Sequence, residues 1–392
     1  MKLAYVVGIY PKPSETFITR EIAGLRARGH IVHIFSLYAP ETGREAGVEY
    51  GWTGLARVLR GLTGDTANTA LARRWGACFT ELGVEAVVAH FGSQPSTVAL
   101  GAAGELPFFL SLHARDIYVE AEQLPEKLAR ATAVVTCTGA NLDFLNANYP
   151  GIATKLHLIY HGLPQSWLER PVPERTRPDG APLRLLAVGR LVEKKGYHVL
   201  LDALKILEIP ADLRIVGDGP LRAELEKITR THGLTKKVTF TGWLSEEELL
   251  LEYAYADVFC CPSIPAEDGD RDGLPNVLVE ALCTGLPAVG SEFSAIPEAI
   301  IDNETGILVH YGDPVLLAIA ISRLADPCRR AALGTCAREY VLERFNAEHW
   351  LDRLEEIWGR VNLTPMPWER RRISGKIVST GKFPDRRCRQ PR

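Results

Sequence analysis

Two carboxylates eight residues apart, Asp272 and Glu280, frame the stretch of this sequence best suited to chemistry, D-G-D-R-D-G-L-P-N-V-L-V-E-A-L-C-T-G-L-P-A from Asp268 to Ala288. Pro275 suits the first position of a helix, where its missing N–H would have no partner, so one acid precedes the helix and the other lies inside it. The free amides of Asn276 and Val277 then point along the helix dipole and make the turn a ready phosphate site. A carboxylate can accept hydrogen bonds from both hydroxyls of a vicinal diol. Acid, anion site, acid is therefore a layout for a sugar nucleotide, with the sugar held at one end and the ribose at the other.

Further stretches supply the rest of such a site. In A-V-G-R-L-V-E-K-K-G, Gly189 and Arg190 follow a strand and Lys195 comes five residues after the arginine, so two fixed cations could clamp a diphosphate. Cations and helix amides stabilise a departing phosphate without a metal, and no metal or cofactor is expected. Gly217 and Gly219 of I-V-G-D-G-P permit close backbone approach to a ligand. A dinucleotide fingerprint would want a third glycine where Arg222 stands, which argues against a nicotinamide or flavin site. Trp243 and Leu244, in F-T-G-W-L, suit a flat base, although a core role for Phe240 and Trp243 fits equally. His113, in S-L-H-A-R-D with Asp116 three residues on, ends a strand; His90 and His161 hold similar positions, and spacing alone does not separate the three.

These residues need a frame. With 392 residues, 46% of them hydrophobic, the chain is long enough for two domains sharing a cleft. Its formal net charge of −3 gives no general attraction for nucleic acid. Eight scattered cysteines show no C-x-x-C pair and read as reduced thiols in a cytosolic protein. The first ten residues read as a buried strand rather than a membrane span or a signal peptide.

Apolar strand-like runs alternate with helical ones from Leu3 to Ile159, and the first helix is expected to start near Ser14 and stop at Gly29. Residues 41–67 blur into glycines, threonines and arginines and read as loop or helix outside the sheet. A proline- and charge-rich linker, 170–182, separates a first α/β domain, 1–169, from a second, 183–346, and a last helix of about 347–361 is long enough to cross back onto the first. Two doubly wound, Rossmann-like domains are expected to gather their strand-end loops in a central cleft. The tail, 366–392, carries nine Lys or Arg against Glu369 and Asp385 and reads as disordered. Its sharper reading is contact with an anionic membrane surface through that charge, Trp368 and Phe383.

In order and spacing together, G-R-L-V-E-K-K-G, I-V-G-D-G-P, F-T-G-W-L and D-G-L-P-N-V-L-V-E followed by A-L-C-T-G-L-P-A-V resemble the retaining glycosyltransferases of family four, with the GT-B fold, and most closely their bacterial polysaccharide-assembly branch. The resemblance runs to about Val361 and includes S-E-T-F from Ser14 to Phe17. It implies that Arg190 and Lys195 hold the donor diphosphate, that Glu280 holds the ribose, that Gly273 and Leu274 meet phosphate and sugar, and that His113 contacts the donor. It implies transfer from a UDP- or GDP-sugar to a saccharide or lipid-linked acceptor, with retention at the anomeric carbon. The family's H-G-x-D has Ala114 here instead of glycine, and its first motif glutamate is Asp272, one methylene shorter, with Asp270 and Glu267 as substitutes. Rival readings are a nucleotide-sugar epimerase of the same architecture, an idle nucleotide-sugar-binding protein and, less favoured, a dehydrogenase.

Overall fold

The computed structural model describes residues 1–12, 14–40, 43–52, 65–175, 177–178 and 180–359. Seven strands form the first sheet: β1 (Lys2–Ile9), β2 (Ile31–Tyr38), β3 (Val48–Trp52), β4 (Ala86–His90), β5 (Phe108–Leu112), β6 (Ala133–Thr136) and β7 (Leu156–Leu158). Six form the second: β8 (Leu183–Val188), β9 (Ala211–Val216), β10 (Val238–Gly242), β11 (Val258–Cys261), β12 (Ala288–Ser291) and β13 (Gly306–Val309). Every pairing is parallel, in the orders β3-β2-β1-β4-β5-β6-β7 and β10-β9-β8-β11-β12-β13.

Parallel strands with helices on both faces bury both sets of side chains, which explains their near-continuous apolar runs. All five residues of β4 are buried. In the first core Phe35 meets Trp75 and Phe79 edge-on at ring separations of 5.4 and 4.9 Å, the geometry that the ring quadrupoles favour. The second core gathers Leu185, Leu213, Val258 and Val289 from four strands beneath Leu200 and Leu204 of the helix Tyr197–Ile206.

Two sequence expectations change. Val48–Trp52 lies in the sheet, paired with β2, because an edge strand needs only a few sheet-forming residues and tolerates the exposed Glu49. The first helix spans Thr16–Ala27, with Glu15 at its N-cap and no side-chain capping bond; Lys12 pairs with Glu15 instead. The chain returns to the first sheet's side after the helix Pro327–Arg344, where Leu163 N–H donates to Phe345 O at 2.7 Å and Ala347 N–H donates to Leu163 O at 3.0 Å. A Cβ at Gly162 would lie 2.3 Å from Ala347 N, so only glycine admits this crossing. Both sheets lie in one compact unit, Met1–Leu351; a second begins at Asp352, partway along the helix Ala347–Ile357. The basic tail with Trp368 and Phe383 lies outside the described residues. Among the described residues no helix is long and apolar enough to cross a membrane.

Candidate functional site

Strand order reverses between β1 and β4 in the first sheet and between β8 and β11 in the second. At such switch points successive loops leave in opposite directions and open a crevice at the carboxyl ends of the strands. The loops after these four strands, with the one after β5, line a cavity of 820 Å³ whose wall includes Ser14, His113, Arg190, Lys194, Arg271 and Gly273.

From the second sheet, a short turn at Glu193–Lys195 brings both lysines against the acids of the loop after β11. Lys195 Nζ stands 2.9 Å from Asp272 Oδ2, and Ser263 Oγ donates to the same oxygen at 2.8 Å. Lys194 Nζ bridges Asp270 at 3.0 Å and Asp272 Oδ1 at 3.8 Å. Burial alone would raise the Asp272 pKa, but Lys195, Lys194 and Ser263 outweigh it and hold the carboxyl below its ordinary range. A depressed folded pKa means stability that is fully present above the unfolded value, about 3.9, and is lost as pH falls through the lower folded value. Below about pH 4 the wild type should therefore lose stability more steeply than Asp272→Asn, as measured by urea unfolding at stepped pH. Arg190 is exposed on the cavity wall and, among the described residues, has no carboxylate partner, so its charge is available to a ligand.

The glycines have a different task from the one expected. A Cβ on Gly217, at φ +124°, would lie 2.1 Å from Gly189 O, and one on Gly219 would lie 2.6 Å from Leu191 O. The close approach they allow is between the loops after β8 and β9, which fixes where Arg190 starts. Gly217→Ala should cost more than about 3 kcal/mol, seen as a large fall in melting temperature, because both the φ and the backbone contact oppose a side chain.

The helix Asn276–Cys283 begins one residue later than expected, with Pro275 as its N-cap rather than its first residue. Its first amide with a backbone partner is Leu278 N–H, donating to Pro275 O at 3.0 Å, which leaves the Asn276 and Val277 amides at the turn. Glu280 is 5% exposed, and both its oxygens are engaged: Arg20 Nη2 donates at 3.0 Å and the Tyr253 hydroxyl at 3.1 Å. Burial pushes its pKa up, offset only in part by Arg20 and Tyr253. The structure thus brings His113, Arg190, Lys194 and Gly273 together at the cavity, while Lys195, Asp272, Leu274, Pro275, Asn276, Glu280, Trp243 and Leu244 lie outside its lining. Trp243, 55% exposed, is not a core residue.

On the opposite wall His113 caps the helix Ala114–Tyr118, its own N–H donating to Asp116 Oδ1 at 3.0 Å. Ala114 opens that helix without a positive φ, so the glycine of the related motif is not needed there. Asp116 also accepts from Gly92 N–H at 2.5 Å, yet burial still pushes its pKa up to about 7. Buried Lys127 donates to Gly92 O at 2.6 Å and Ser93 O at 3.1 Å, completing the anchorage of the loop after β4. Only one of the three rival histidines faces the cavity. His90 is fully buried 3.3 Å from Glu21 Oε1, and His161 stacks on Phe17 at 4.3 Å, whereas His113 lines the wall. Burial, then His161 and His90, drive the His113 pKa well below normal, and its Nε2 has no partner.

Residues 14–166 match the family model described as Glycosyltransferase Family 4, and residues 182–326 match that described as Glycosyl transferases group 1. The chain belongs to the family-four glycosyltransferases. This glycosyltransferase is 38% identical over 184 residues to the amylovoran biosynthesis glycosyltransferase AmsK of Erwinia amylovora, covering 46% of the chain and 45% of that relative. It therefore spans about half the length of that relative. It is 25% identical over 401 residues to the putative colanic acid biosynthesis glycosyltransferase WcaL of Salmonella typhimurium, covering 89% and 97%. Among solved structures it resembles sucrose-phosphate synthase from Thermosynechococcus elongatus, with TM-score 0.73 and 21% identity over 91% of this chain and 98% of that one. Anabaena HepE in complex with UDP gives TM-score 0.71 and 18% identity over 92% and 100%. These likenesses establish a GT-B fold of two Rossmann-like domains.

The glycosyltransferase also has site residues that its motifs did not announce. Arg20 reaches Glu280, Arg115 Nη1 reaches Asp270 Oδ2 at 3.0 Å, and Glu298 accepts from Gly139 N–H and Ala140 N–H at 2.8 Å each. Each joins the first half of the chain to the second. No local pattern marks them.

Proposed function

We propose that this enzyme transfers a sugar from a UDP- or GDP-sugar to a saccharide or lipid-linked acceptor in bacterial polysaccharide assembly, retaining the anomeric configuration and using no metal. The observation that carries the reading is the unpaired Arg190 on the cavity wall, across from the unpartnered Nε2 of His113. Arg190 on the cavity wall, together with Lys195 and the Asn276 and Val277 amides, supplies positive charge where a nucleoside diphosphate departs. Glu280 takes the ribose diol once Arg20 swings away. The departing phosphate oxygen accepts the proton of the acceptor hydroxyl as the new glycosidic bond forms on the same face. The UDP of the Anabaena neighbour and the saccharide products named for the Erwinia and Salmonella relatives support this choice. The domain division at 170–182 and a peripheral position at the inner membrane face belong to the same reading.

A thermal-shift screen of UDP- and GDP-sugars tests it. Stabilisation by one donor should be lost in Arg190→Ala and Lys195→Ala, and NMR of the product should show the donor's anomeric configuration. A shift retained in both variants, an inverted linkage, or epimerised donor formed without acceptor overturns it.

A further inference from the structure

Three adjacent strands of the first sheet each deliver a metal-ligating side chain at the same edge. His113 directly follows β5, Cys137 directly follows β6, and His161 comes three residues after β7. One ligand atom from each lies within 4.8 Å of the others, and Cys137 Sγ is 3.7 Å from His113 Nδ1. Tetrahedral zinc with Zn–N of about 2.0 Å and Zn–S of about 2.3 Å separates its nitrogen and sulfur ligands by about 3.6 Å, so this pair already stands at ligand spacing.

We propose that His113, Cys137 and His161 form a site for one thiophilic divalent cation of the zinc type, with a solvent molecule as fourth ligand. Two imidazoles and a thiol are a donor set that selects zinc or cobalt over magnesium or calcium, which demand oxygen. His113 is 9% exposed and lines the 820 Å³ cavity, which gives the ion a route in. Phe17, stacked flat on His161 at 4.3 Å and 4.9 Å from His113, fixes where those rings lie. On binding, the Cys137 thiol releases its proton to solvent as the sulfur–metal bond forms, and no redox change is involved. Among the described residues no other group of three such side chains comes this close. The site shares His113 with the transfer reading, which itself needs no metal.

The test uses reduced, chelator-treated full-length protein and Co²⁺ as the probe, with no activity assay, so its outcome is separate from that of the transfer reading. Titration should give one equivalent of bound Co²⁺ with a thiolate-to-cobalt charge-transfer band, absent in Cys137→Ser and with weakened binding in His161→Gln. In the wild type alone, Zn²⁺ should protect Cys137, and no other cysteine, from alkylation when the sites are mapped by mass spectrometry. Lack of the band, its persistence in Cys137→Ser, unchanged binding in His161→Gln, or protection of a different thiol overturns the proposal.

Discussion

Lys195→Ala should lower both stability and donor affinity, whereas Arg190→Ala should lower only the second. Lys195 is the nearest cation to Asp272, a carboxylate 7% exposed whose other partners are Ser263 and, at 3.8 Å, Lys194. Removing one member of a buried pair strands the other, a loss of about 3 to 5 kcal/mol. Lys194 remains close enough to hold the cost near the lower end. Arg190 strands nothing, since among the described residues it has no carboxylate partner. Its loss should leave the melting temperature of the free enzyme unchanged while kcat/KM falls about a hundredfold, as for loss of one donor to a developing oxyanion. The double variant Lys195→Ala/Asp272→Asn separates the two roles of the lysine. Neutralising the stranded acid should recover most of the lost stability and none of the donor-induced thermal shift. Recovery of both would mean that the lysine serves only to neutralise Asp272.

The same contrast shows what could be read without coordinates. Twelve of the thirteen strands read as strand-like runs, most of them largely apolar because a parallel sheet covered on both faces leaves little polar side to interrupt them. Strand β3 escaped because V-E-Y-G-W, at the edge, carries an exposed acid and a glycine that break the run. Arg190 was legible because it lies two residues after β8, and residues near the end of a strand in sequence are near the rim in space. What the pattern could not tell was direction. Gly217 reads as room for a ligand, yet the atom it makes room for is Gly189 O, on a neighbouring loop. Glu280 reads as a ribose holder, yet in the free protein Arg20, 260 residues earlier, occupies it. Contacts across such separations leave no local periodicity or spacing to find.

Glu298→Ala should be among the most disruptive single changes outside the cavity. The carboxylate sits in I-P-E-A-I, a short turn between β12 and β13 that carries no recognisable motif. It accepts from Gly139 N–H and Ala140 N–H, the opening amides of the helix Gly139–Asn148, and from the Tyr160 hydroxyl at 2.6 Å. An acid at a helix N-terminus satisfies amides that have no partner within the helix and lies at the positive end of its dipole. Here the acid comes from the second half of the chain and the helix from the first, so the contact holds the two walls of the cleft in register. Alanine would leave two amides and a buried hydroxyl without this acceptor, a cost of about 2 to 4 kcal/mol. Glu298→Gln keeps the size, and its one remaining carbonyl oxygen can serve some of the three donors, so it should recover about half of that loss. If wall registry rather than stability alone depends on this carboxylate, Glu298→Ala should raise the KM for donor under conditions where circular dichroism shows the protein fully folded. An unchanged KM with a lowered melting temperature would limit Glu298 to holding the fold together.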